Sequence, residues 1–569
     1  DMTVLVIAAD DGVMPQTIEH FQIMDLLGVR HGIVALTKID LVSPERTCEV
    51  TEAIRAFLAG TFMENAPICP VSSETGDGFL EFYDVLVNTA KGIVREKHAG
   101  VFRMPVERVF VQKGFGLVLT GIPVAGTTSV GEEVELVPGG NTGKVRAIQC
   151  FFRDTTEGKA GQCLALNIPD FTKEPPERGQ VLCPPGYLKP AACFHVRLQA
   201  VSPLEKPLRN AESVKLHTGT CEAPGKLYLL EDNTLEKGRS ALATVITSHF
   251  VAAAVGDRFI LRRPSPVETV AGGEVLVVTY ESARPRKKVV LDQLTGYLTF
   301  MDGVDPMTDE GVGRRVEYIL RTQQPAGATL SRLAQSVLWP PESLKLHLEH
   351  LIHSGHVLAL GPDSFIHRQQ YEVRLAEVEG RIQEAAAGGA TFSLTVGELR
   401  KGLDWPLALW SQIQRDLEGS GKVAVRGSKV VLRVAISTLS ESDRGLLRCI
   451  LDTYENTGFQ SPRPDELPER LGAPLGQIER LLDFLYNEGT LVRLTKNVAL
   501  SYNALRQAQQ LVIHIIQEKG SLDSADFKIV IGSTRKYALA ILDYLDSKRI
   551  TLRIGNIRKL RADYKQNLL

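Results

Sequence analysis

The sequence predicts a multidomain protein that combines a partial α/β domain, two β-barrels and four tandem winged helices. Strand and helix patterns alternate over residues 1–98. Short β-branched runs separated by Gly and Pro fill residues 99–284, which is the spacing of all-β barrels. A unit of about 60–70 residues then recurs, and each repeat has an apolar-striped helix, a turn and a β-branched strand.

The composition is that of a globular protein with several cores. A chain of 569 residues exceeds the roughly 100–200 residues of one domain, and 44% hydrophobic with 23% charged residues is ordinary. No apolar run reaches the roughly 18 residues of a membrane helix, and the eight cysteines include no CxxC pair. We therefore expect a cytoplasmic monomer without membrane contact, metal site or disulfides. Because the chain opens inside a strand-like run, we also expect it to begin partway into a domain.

The first 98 residues predict a doubly wound parallel sheet. In such sheets, ligands bind outside the carboxyl ends of the strands. β-branched runs predict strands at residues 3–9, 31–38 and 66–73, and helical periodicity predicts helices at residues 17–28 and 78–94.

The remaining boundaries follow from changes of pattern. "CPPGYLKP" (183–190) divides the barrels into residues 99–188 and 189–284, and "SARPRKKVV" (282–290) opens the helical part. The four winged helices are recognised by runs that join a helix, a turn and a strand, at residues 344–360, 410–426, 478–494 and 537–553. Their predicted limits are 285–370, 371–436, 437–505 and 506–569.

Two loops after predicted strands carry the residue types of a guanine site. "TKID" supplies Thr37, Lys38 and Asp40, whose carboxylate accepts two hydrogen bonds from the base while the lysine stem covers the ring. "PVSSETGDG" follows one strand later, where a backbone N–H of Ser72 or Ser73 meets the guanine oxygen. The four-residue string alone is a weak signal, but the two loops together favour guanine recognition over an ordinary turn.

The phosphate half of a nucleotide site is absent from these 569 residues. No G-x-x-x-x-G-K-[ST] occurs, and the nearest string, "GGNTGKVR" (139–146), lies among barrel strands. Without that loop there is no nest of N–H groups for phosphates and no hydroxyl for Mg²⁺. We expect this region, a partial P-loop-type G domain, to recognise a base but to hold GTP weakly.

The same residues carry a family resemblance. "LVIAADDGVMPQTIEHFQIMDLLGVRHGIVALTKIDLV" (5–42) closely resembles the G-domain segment after switch II in SelB, the selenocysteine-specific translation elongation factors. "VERVFVQKGFGLVLTGIPVAGTTSVGEEVELVP" (106–138) resembles domain two of the same family. Two barrels followed by four winged helices is the SelB layout, so the resemblance covers essentially the whole chain.

The resemblance implies a translation function with GTP as cofactor. Members of the family carry selenocysteyl-tRNA to the ribosome at UGA codons and are guided by an mRNA hairpin. It also implies that the P-loop, switch I and the catalytic His lie upstream of Asp1. We therefore assign no catalytic residue here, expect the chain as given to be hydrolysis-deficient, and expect Mg²⁺ only with that upstream segment.

In the family, an acidic–basic pair in domain two and an arginine after "AGQ" line the selenol pocket. The matching positions are Glu107, Arg108 and Cys163, and only Arg108 keeps the family's residue. A thiol lacks the fixed positive charge and donor fork of a guanidinium. The departure weakens the selenocysteine discrimination that the resemblance implies.

The last predicted winged helix is basic, whereas the rest of the chain is acidic. Residues 509–569 hold eleven Lys and Arg against six Asp and Glu, so their net charge is +5 and the remaining residues sum to −7. A basic terminal domain is typical of phosphate-backbone contact with salt-dependent affinity.

Two segments of this domain carry the predicted RNA contacts. "GSTRKYALAILDYLD" places Ser533 or Thr534 as a helix cap before two cations, and "ITLRIGNIRKL" is typical of a wing. The wing resembles the "RxGDxRxL" ending with which bacterial SelB grips the mRNA hairpin, with Asn in place of Asp. The predicted RNA-binding residues are Arg535, Lys536, Arg553, Gly555, Asn556 and Arg558.

Two other functions stay open at this point. Winged helices mostly bind DNA, so the chain fits a DNA-binding regulator with a barrel platform. Cys163 fits a general translation factor for ordinary aminoacyl-tRNA.

Overall fold

The chain forms two compact units, Asp1–Arg368 and Gln369–Leu569, and each is described by itself. The computed structural model describes residues 2–93, 99–114, 116–172, 175–280, 286–387, 393–421, 423–426, 429–432 and 439–569. The predicted domain boundaries after residues 98, 284 and 436 fall at residues outside these ranges. No helix within the described residues is both long and apolar enough to cross a membrane.

The amino-terminal region is an α/β layer with the elements β1 (Met2–Ala8), α1 (Pro15–Leu26), β2 (His31–Thr37), α2 (Pro44–Leu58), β3 (Ile68–Pro70) and α3 (Phe79–Gly92). The strands are parallel in the order β1-β2-β3, which confirms the predicted parallel sheet. Helix α2 was not predicted from the sequence. The sequence feature that marks its start is Ser43 followed by Pro44, since serine is a common N-cap residue and proline a common first helical residue. In the structure the Ser43 hydroxyl accepts a hydrogen bond from the N–H of Arg46 and caps the helix.

The next region is all-β. Its strands are β4 (Met104–Pro105), β5 (Arg108–Gln112), β6 (Gly116–Gly121), β7 (Thr127–Ser129), β8 (Glu133–Val137), β9 (Asn141–Lys144), β10 (Ala147–Cys150), β11 (Arg153–Thr155), β12 (Glu157–Lys159), β13 (Leu164–Asn167) and β14 (Val181–Cys183). One sheet has the order β11-β10-β13-β6-β5 and another β4-β14-β8-β9, with a short β12-β7 pair beside them. The sheets enclose one apolar core that includes Met104, Leu119 and Leu166.

The second all-β region contains a closed barrel. Its strands are β15 (Ala191–Ala200), β16 (Leu208–Arg209), β17 (Glu212–Thr218), β18 (Cys221–Leu229), β19 (Thr234–Leu235), β20 (Ser240–Val251), β21 (Arg258–Pro264) and β22 (Val267–Thr279). Six of them close in the order β15-β20-β18-β17-β21-β22, which confirms the second predicted barrel. Closure pairs both edges of the sheet, and alternate side chains then fill the interior.

A helical region follows the barrel within the same unit. It contains α4 (Lys287–Met301), α5 (Asp309–Thr322), β23 (Ala328–Thr329), α6 (Leu330–Val337), α7 (Pro341–His353), β24 (Val357–Gly361) and β25 (Ser364–His367). The sheet order β23-β25-β24 beside three helices is that of a winged helix. The Thr308 and Thr329 hydroxyls cap α5 and α6.

The second unit contains three more sets of helices followed by a hairpin, which confirms the predicted four-fold repeat, and among the described residues the hairpin of the third set pairs with no further strand. The second winged helix follows α8 (Arg368–Ala387) and has β26 (Ser393–Thr395), α9 (Val396–Arg400), α10 (Leu407–Gly419), β27 (Val423–Arg426) and β28 (Lys429–Leu432). The third has α11 (Glu441–Thr457), α12 (Leu467–Leu471), α13 (Leu475–Glu488), β29 (Leu491–Thr495) and β30 (Val498–Ser501). The fourth has α14 (Tyr502–Lys519), β31 (Leu522–Asp523), α15 (Ser524–Val530), α16 (Arg535–Ser547), β32 (Thr551–Ile554) and β33 (Ile557–Leu560). The predicted limits after residues 370 and 505 fall inside α8 and α14, because each of these helices begins directly after the wing of one winged helix and leads into the next winged helix.

Candidate nucleotide and RNA sites

The first candidate loop begins where β2 ends at Thr37. The Thr37 hydroxyl donates to the carbonyl of Ile7 at 3.4 Å, which ties the start of this loop to β1. Lys38 then adopts a left-handed conformation with φ 60° and turns the chain into a short 3₁₀ turn. The side chains of Lys38 and Asp40 are exposed at the carboxyl end of the sheet. The structure therefore presents the predicted carboxylate to solvent, as base recognition requires.

An ion pair that the sequence analysis did not predict fixes the direction of the lysine side chain. Lys38 Nζ lies 2.9 Å from Asp10 Oδ2 and 3.9 Å from Asp11 Oδ2. The hydrogen bond between Lys38 and Asp10 raises the pKa of the ammonium and lowers the pKa of the carboxyl. The available signal was the "DDG" string directly after the first strand, because parallel neighbouring strands bring their carboxyl ends together.

The second candidate loop follows β3 and lies beside the first, because the Val71 N–H donates to the Leu36 carbonyl at 2.8 Å. Ser72 is fully buried, and its hydroxyl accepts from the N–H groups of Glu74 and Thr75. The Ser72 N–H itself donates to the carbonyl of Asp77 at 2.9 Å. Ser72 therefore shapes the turn, and the predicted base contact falls to the exposed Ser73.

Gly78 closes this loop, and the sequence analysis did not single it out. It has a positive φ of 74°, and a Cβ there would lie 2.0 Å from the Pro70 carbonyl oxygen. Only glycine fits so close to the end of β3. The second Gly of "GDG" was therefore the sequence signal for the geometry of this turn.

The three predicted pocket residues of the first all-β region lie at one end of one sheet. The Glu107 N–H donates to the Thr120 carbonyl at 2.8 Å, and Arg108 opens β5 opposite the same residue. Cys163 directly precedes β13, and β6 lies between β13 and β5 in the sheet. Glu107, Arg108 and Cys163 are all exposed, and the Cys163 sulfur is a free thiol. The structure brings them to the same sheet end but two strands apart.

The start of α16 is exposed and cationic. Thr534 occupies the N-cap position without a side-chain capping hydrogen bond, and Arg535 and Lys536 in the first turn are exposed. Ser533, the other predicted cap, instead donates from its hydroxyl to the carbonyl of Phe459 at 2.6 Å. That bond anchors the helix start to the third winged helix.

The wing β32–β33 is a hairpin with a two-residue turn. Gly555 has φ 64°, and Arg553 Nε donates to the Gly555 carbonyl at 3.1 Å. Arg553, Gly555 and Asn556 are exposed. We call the exposed set Arg535, Lys536, Arg553, Gly555 and Asn556 the terminal basic surface.

Arg558 does not belong to that surface, which corrects the contact predicted from its place in the wing. It is only 1% exposed, its Nη2 donates to Asp543 Oδ1 at 2.6 Å, and its Nε donates to Asp546 Oδ2 at 3.3 Å. Because both aspartates lie on α16, Arg558 fastens the wing to the helix, and its guanidinium is buried away from solvent.

Within the described ranges, no group of three or more His, Cys, Asp or Glu side chains is arranged to hold a metal ion.

Three regions match known family models. Residues 1–91 match the elongation factor Tu GTP-binding domain, residues 195–282 match the β-barrel domain of selenocysteine-specific elongation factor, and residues 514–560 match a winged helix of elongation factor SelB. The first model covers both candidate loops of the α/β layer, and the last covers the terminal basic surface.

Full-length relatives show the same agreement. The chain is 30% identical to the selenocysteine-specific elongation factor of Desulfomicrobium baculatum over 99% of this chain and 88% of that protein. It is 26% identical to the Escherichia coli protein of the same name, over 99% and 86% of the two chains. A crystal structure of a bacterial selenocysteine-specific elongation factor superposes with a TM-score of 0.63 at 20% identity, over 98% of this chain and 86% of that chain. That structure shares the fold.

Proposed function

The chain belongs to the selenocysteine-specific elongation factors, and from that premise we propose that it delivers selenocysteyl-tRNA to the ribosome at UGA codons under the guidance of an mRNA hairpin. The observation that supports this proposal best is the terminal basic surface, whose exposed residues lie at a helix start without a side-chain cap and at the tip of a wing. The barrels are proposed to hold the tRNA, and the α/β layer is proposed to bind the guanine base of GTP.

The terminal basic surface suits an RNA hairpin because it offers two kinds of contact. Arg535 and Lys536 combine side-chain charge with the free N–H groups and positive dipole of a helix start, and both attract phosphates. Asn556 projects from a glycine-containing turn and offers an amide donor and acceptor to an unstacked base. Arg558 supports both contacts because it holds the wing against α16.

The hairpin proposal is tested with the whole 569-residue chain. Fluorescence anisotropy would compare a bulged RNA hairpin with a DNA duplex of equal charge. We expect tighter binding to the hairpin, since unstacked bases offer Asn556 an edge that a duplex hides. A preference for the duplex would contradict the proposal and support a DNA-binding regulator.

The tRNA proposal concerns the amino-acid pocket. Retention of selenocysteyl-tRNA and seryl-tRNA by the chain would be compared through protection of the aminoacyl ester from hydrolysis. We expect slower hydrolysis of the selenocysteyl ester, and the Arg108→Gln variant should reduce this difference because it removes the retained guanidinium. Arg153→Gln, an exposed arginine on β11 of the same sheet, is the matched control. Equal protection of both esters by the wild-type chain would favour a general translation factor.

The guanine proposal assigns the base edge to Asp40, the ring face to the stem of Lys38 and the oxygen contact to the N–H of Ser73. We expect weak binding of GTP to the 569-residue chain, because the sequence contains no phosphate-binding G-x-x-x-x-G-K-[ST]. Asp40→Ala should lower the remaining affinity by about tenfold, the worth of a charge-assisted hydrogen-bond pair, whereas Asp25→Ala on α1 should not. Sub-micromolar affinity for GTP in an equilibrium titration would contradict the prediction of weak binding.

A further inference from the structure

A cavity of about 380 Å³ lies between the closed barrel, α4 and the first winged helix, away from the sites described above. This volume is within the range of about 300–1,000 Å³ that is typical of small-molecule sites. Its inner wall includes the buried residues Tyr297, Arg315 and Tyr318, and its exposed wall includes Lys189 and Arg332. The cavity is therefore open to solvent on one side and lined by buried side chains on the other.

The lining of this cavity is strongly positive. Its charged residues are Lys189, Arg315 and Arg332, and no Asp or Glu occurs among the described residues that line it. Tyrosine and glutamine side chains, including Tyr187 and Gln335, add further polar groups. Low-dielectric walls with charge of one sign concentrate the electric field in a pocket and attract counter-ions.

Arg315 is the unusual member of this set. It is 5% exposed, and among the described residues its side chain makes one hydrogen bond, from Nη1 to the Pro306 carbonyl at 3.3 Å. Burial lowers the pKa of the Arg315 guanidinium, since removal from water disfavours the charged form. A buried charge of this kind is costly unless a partner compensates it.

The other buried arginines in the described part of the chain all have carboxylate partners. Arg103 pairs with Asp257 at 2.8 Å, Arg263 with Glu212 at 2.6 Å, and Arg558 with Asp543 at 2.6 Å. Arg315 alone among these four has no carboxylate oxygen within 4.0 Å in the described residues. Within the part of the chain that the structure describes, the buried hydroxyl of Tyr297, which belongs to the same lining, also has no hydrogen-bond partner. Among the described residues, the cavity wall therefore contains a buried guanidinium without a carboxylate partner and a buried tyrosine hydroxyl without a hydrogen bond.

We propose that this cavity binds a small anion that carries one or two phosphate groups, with Arg315 as the buried anchor and Arg332 and Lys189 at the entrance. A phosphate group accepts several hydrogen bonds and carries the negative charge that the lining lacks.

The test uses the full chain and titration calorimetry at constant ionic strength, with inorganic pyrophosphate and adenosine monophosphate as probes. We expect saturable one-to-one binding of at least one probe, with affinity at least about tenfold lower in Arg315→Gln because a charge-assisted bidentate contact is lost. Arg314→Gln is the matched control, since Arg314 lies next to Arg315 on α5, pairs with Glu310 and does not line the cavity.

Thermal melting separates a ligand anchor from a structural arginine. Without ligand, Arg315→Gln should melt at or above the wild-type temperature, because the substitution removes a buried charge without a carboxylate partner. If the variant fails to fold, Arg332→Gln at the exposed entrance provides the same binding test. Equal binding by the wild-type chain, Arg314→Gln and Arg315→Gln would overturn the proposal as a general ion effect. Binding of a short oligouridylate without binding of either small probe would overturn it as well, since the surface would then be an RNA groove.

Discussion

The third and fourth winged helices have the same layout of helices and hairpin but present different chemistry to solvent. In the third, the helix before the wing, α13, starts with Leu475, Gly476 and Gln477, none of which is a cation. In the fourth, α16 starts with the exposed Arg535 and Lys536. Residues 441–508 hold ten acidic and eight basic residues, against six and eleven in residues 509–569. The comparison teaches that apolar periodicity builds the unit, whereas a few exposed residues at the helix start decide what it can bind.

Both winged helices also contain an arginine–aspartate pair with at least one buried member, Asp443 in the third and Arg558 in the fourth. In the third, Arg480 Nη2 lies 2.6 Å from Asp443 and ties α13 to α11. In the fourth, Arg558 Nη2 lies 2.6 Å from Asp543 and ties the wing to α16. A basic residue in a winged helix is thus a framework group when it is buried and a candidate ligand group when it is exposed.

The largest expected effect is on RNA affinity. The triple variant Arg535→Ala/Lys536→Ala/Arg553→Ala should bind the bulged hairpin about 100-fold more weakly, and the salt slope should fall by about 2 because phosphate contacts are lost. Anisotropy titrations at several salt concentrations measure both quantities.

The matched control for this variant removes three exposed cations elsewhere on the same unit, as Arg506→Ala/Lys519→Ala/Lys565→Ala. It changes the net charge equally, so a similar loss of affinity in the control would show that overall charge, and not the terminal basic surface, controls binding.

The next effect separates framework from contact within the fourth winged helix. Arg558→Met should destabilise the second unit by about 2 kcal/mol, because it removes the charged hydrogen bonds that hold the wing to Asp543 and Asp546 on α16. Urea unfolding measures the loss. Under conditions where the variant is folded, its affinity for the RNA hairpin should stay within about threefold of wild type. The Arg553→Ala variant should lose more than about threefold, because it removes an exposed cation that is proposed to contact phosphate. An unchanged unfolding free energy would show that the buried pair is not a framework.

A smaller effect concerns acid stability of the third winged helix. Burial opposes ionisation of Asp443, but hydrogen bonds from Gln477, Ser440 and Arg480 outweigh it and lower the pKa below 3.8. A lowered carboxyl pKa contributes stability that is complete above the unfolded pKa and is lost as pH falls through the folded value. Asp443→Asn should therefore be less stable than wild type at neutral pH, and the difference should shrink below about pH 4. A difference that stays constant down to pH 3 would argue against this linkage.

The smallest effect tests the turn of the fourth wing. Gly555→Ala should cost about 1 kcal/mol, since φ +64° strains any residue with a Cβ although nothing lies within 4 Å of the added atom. Thermal unfolding measures the cost. Gly476→Ala on α13, where the glycine has no positive φ, should be neutral or slightly stabilising and serves as the control.

The sequence by itself determined the kind and order of the domains and the loops that carry the candidate sites. Strand and helix periods are local properties, so they were readable for β1, β2, α1 and the four repeated hairpins. Loops after neighbouring parallel strands converge by topology, so the sequence pattern was enough to place Thr37, Lys38 and Asp40 beside the second loop.

The tertiary structure alone decided which residue of each motif faces solvent. Arg553 and Arg558 are close in sequence and chemically alike, yet only Arg558 meets carboxylates from α16, 15 and 12 residues away. Ser72 and Ser73 differ in the same way, because Ser72 is buried and accepts hydrogen bonds inside the turn, whereas Ser73 is exposed. Among the described residues Arg315 has no carboxylate partner beside its cavity, and the sequence cannot show this because it depends on everything packed around the side chain. Burial and pairing depend on groups that are distant along the chain, and only the folded arrangement brings those groups together.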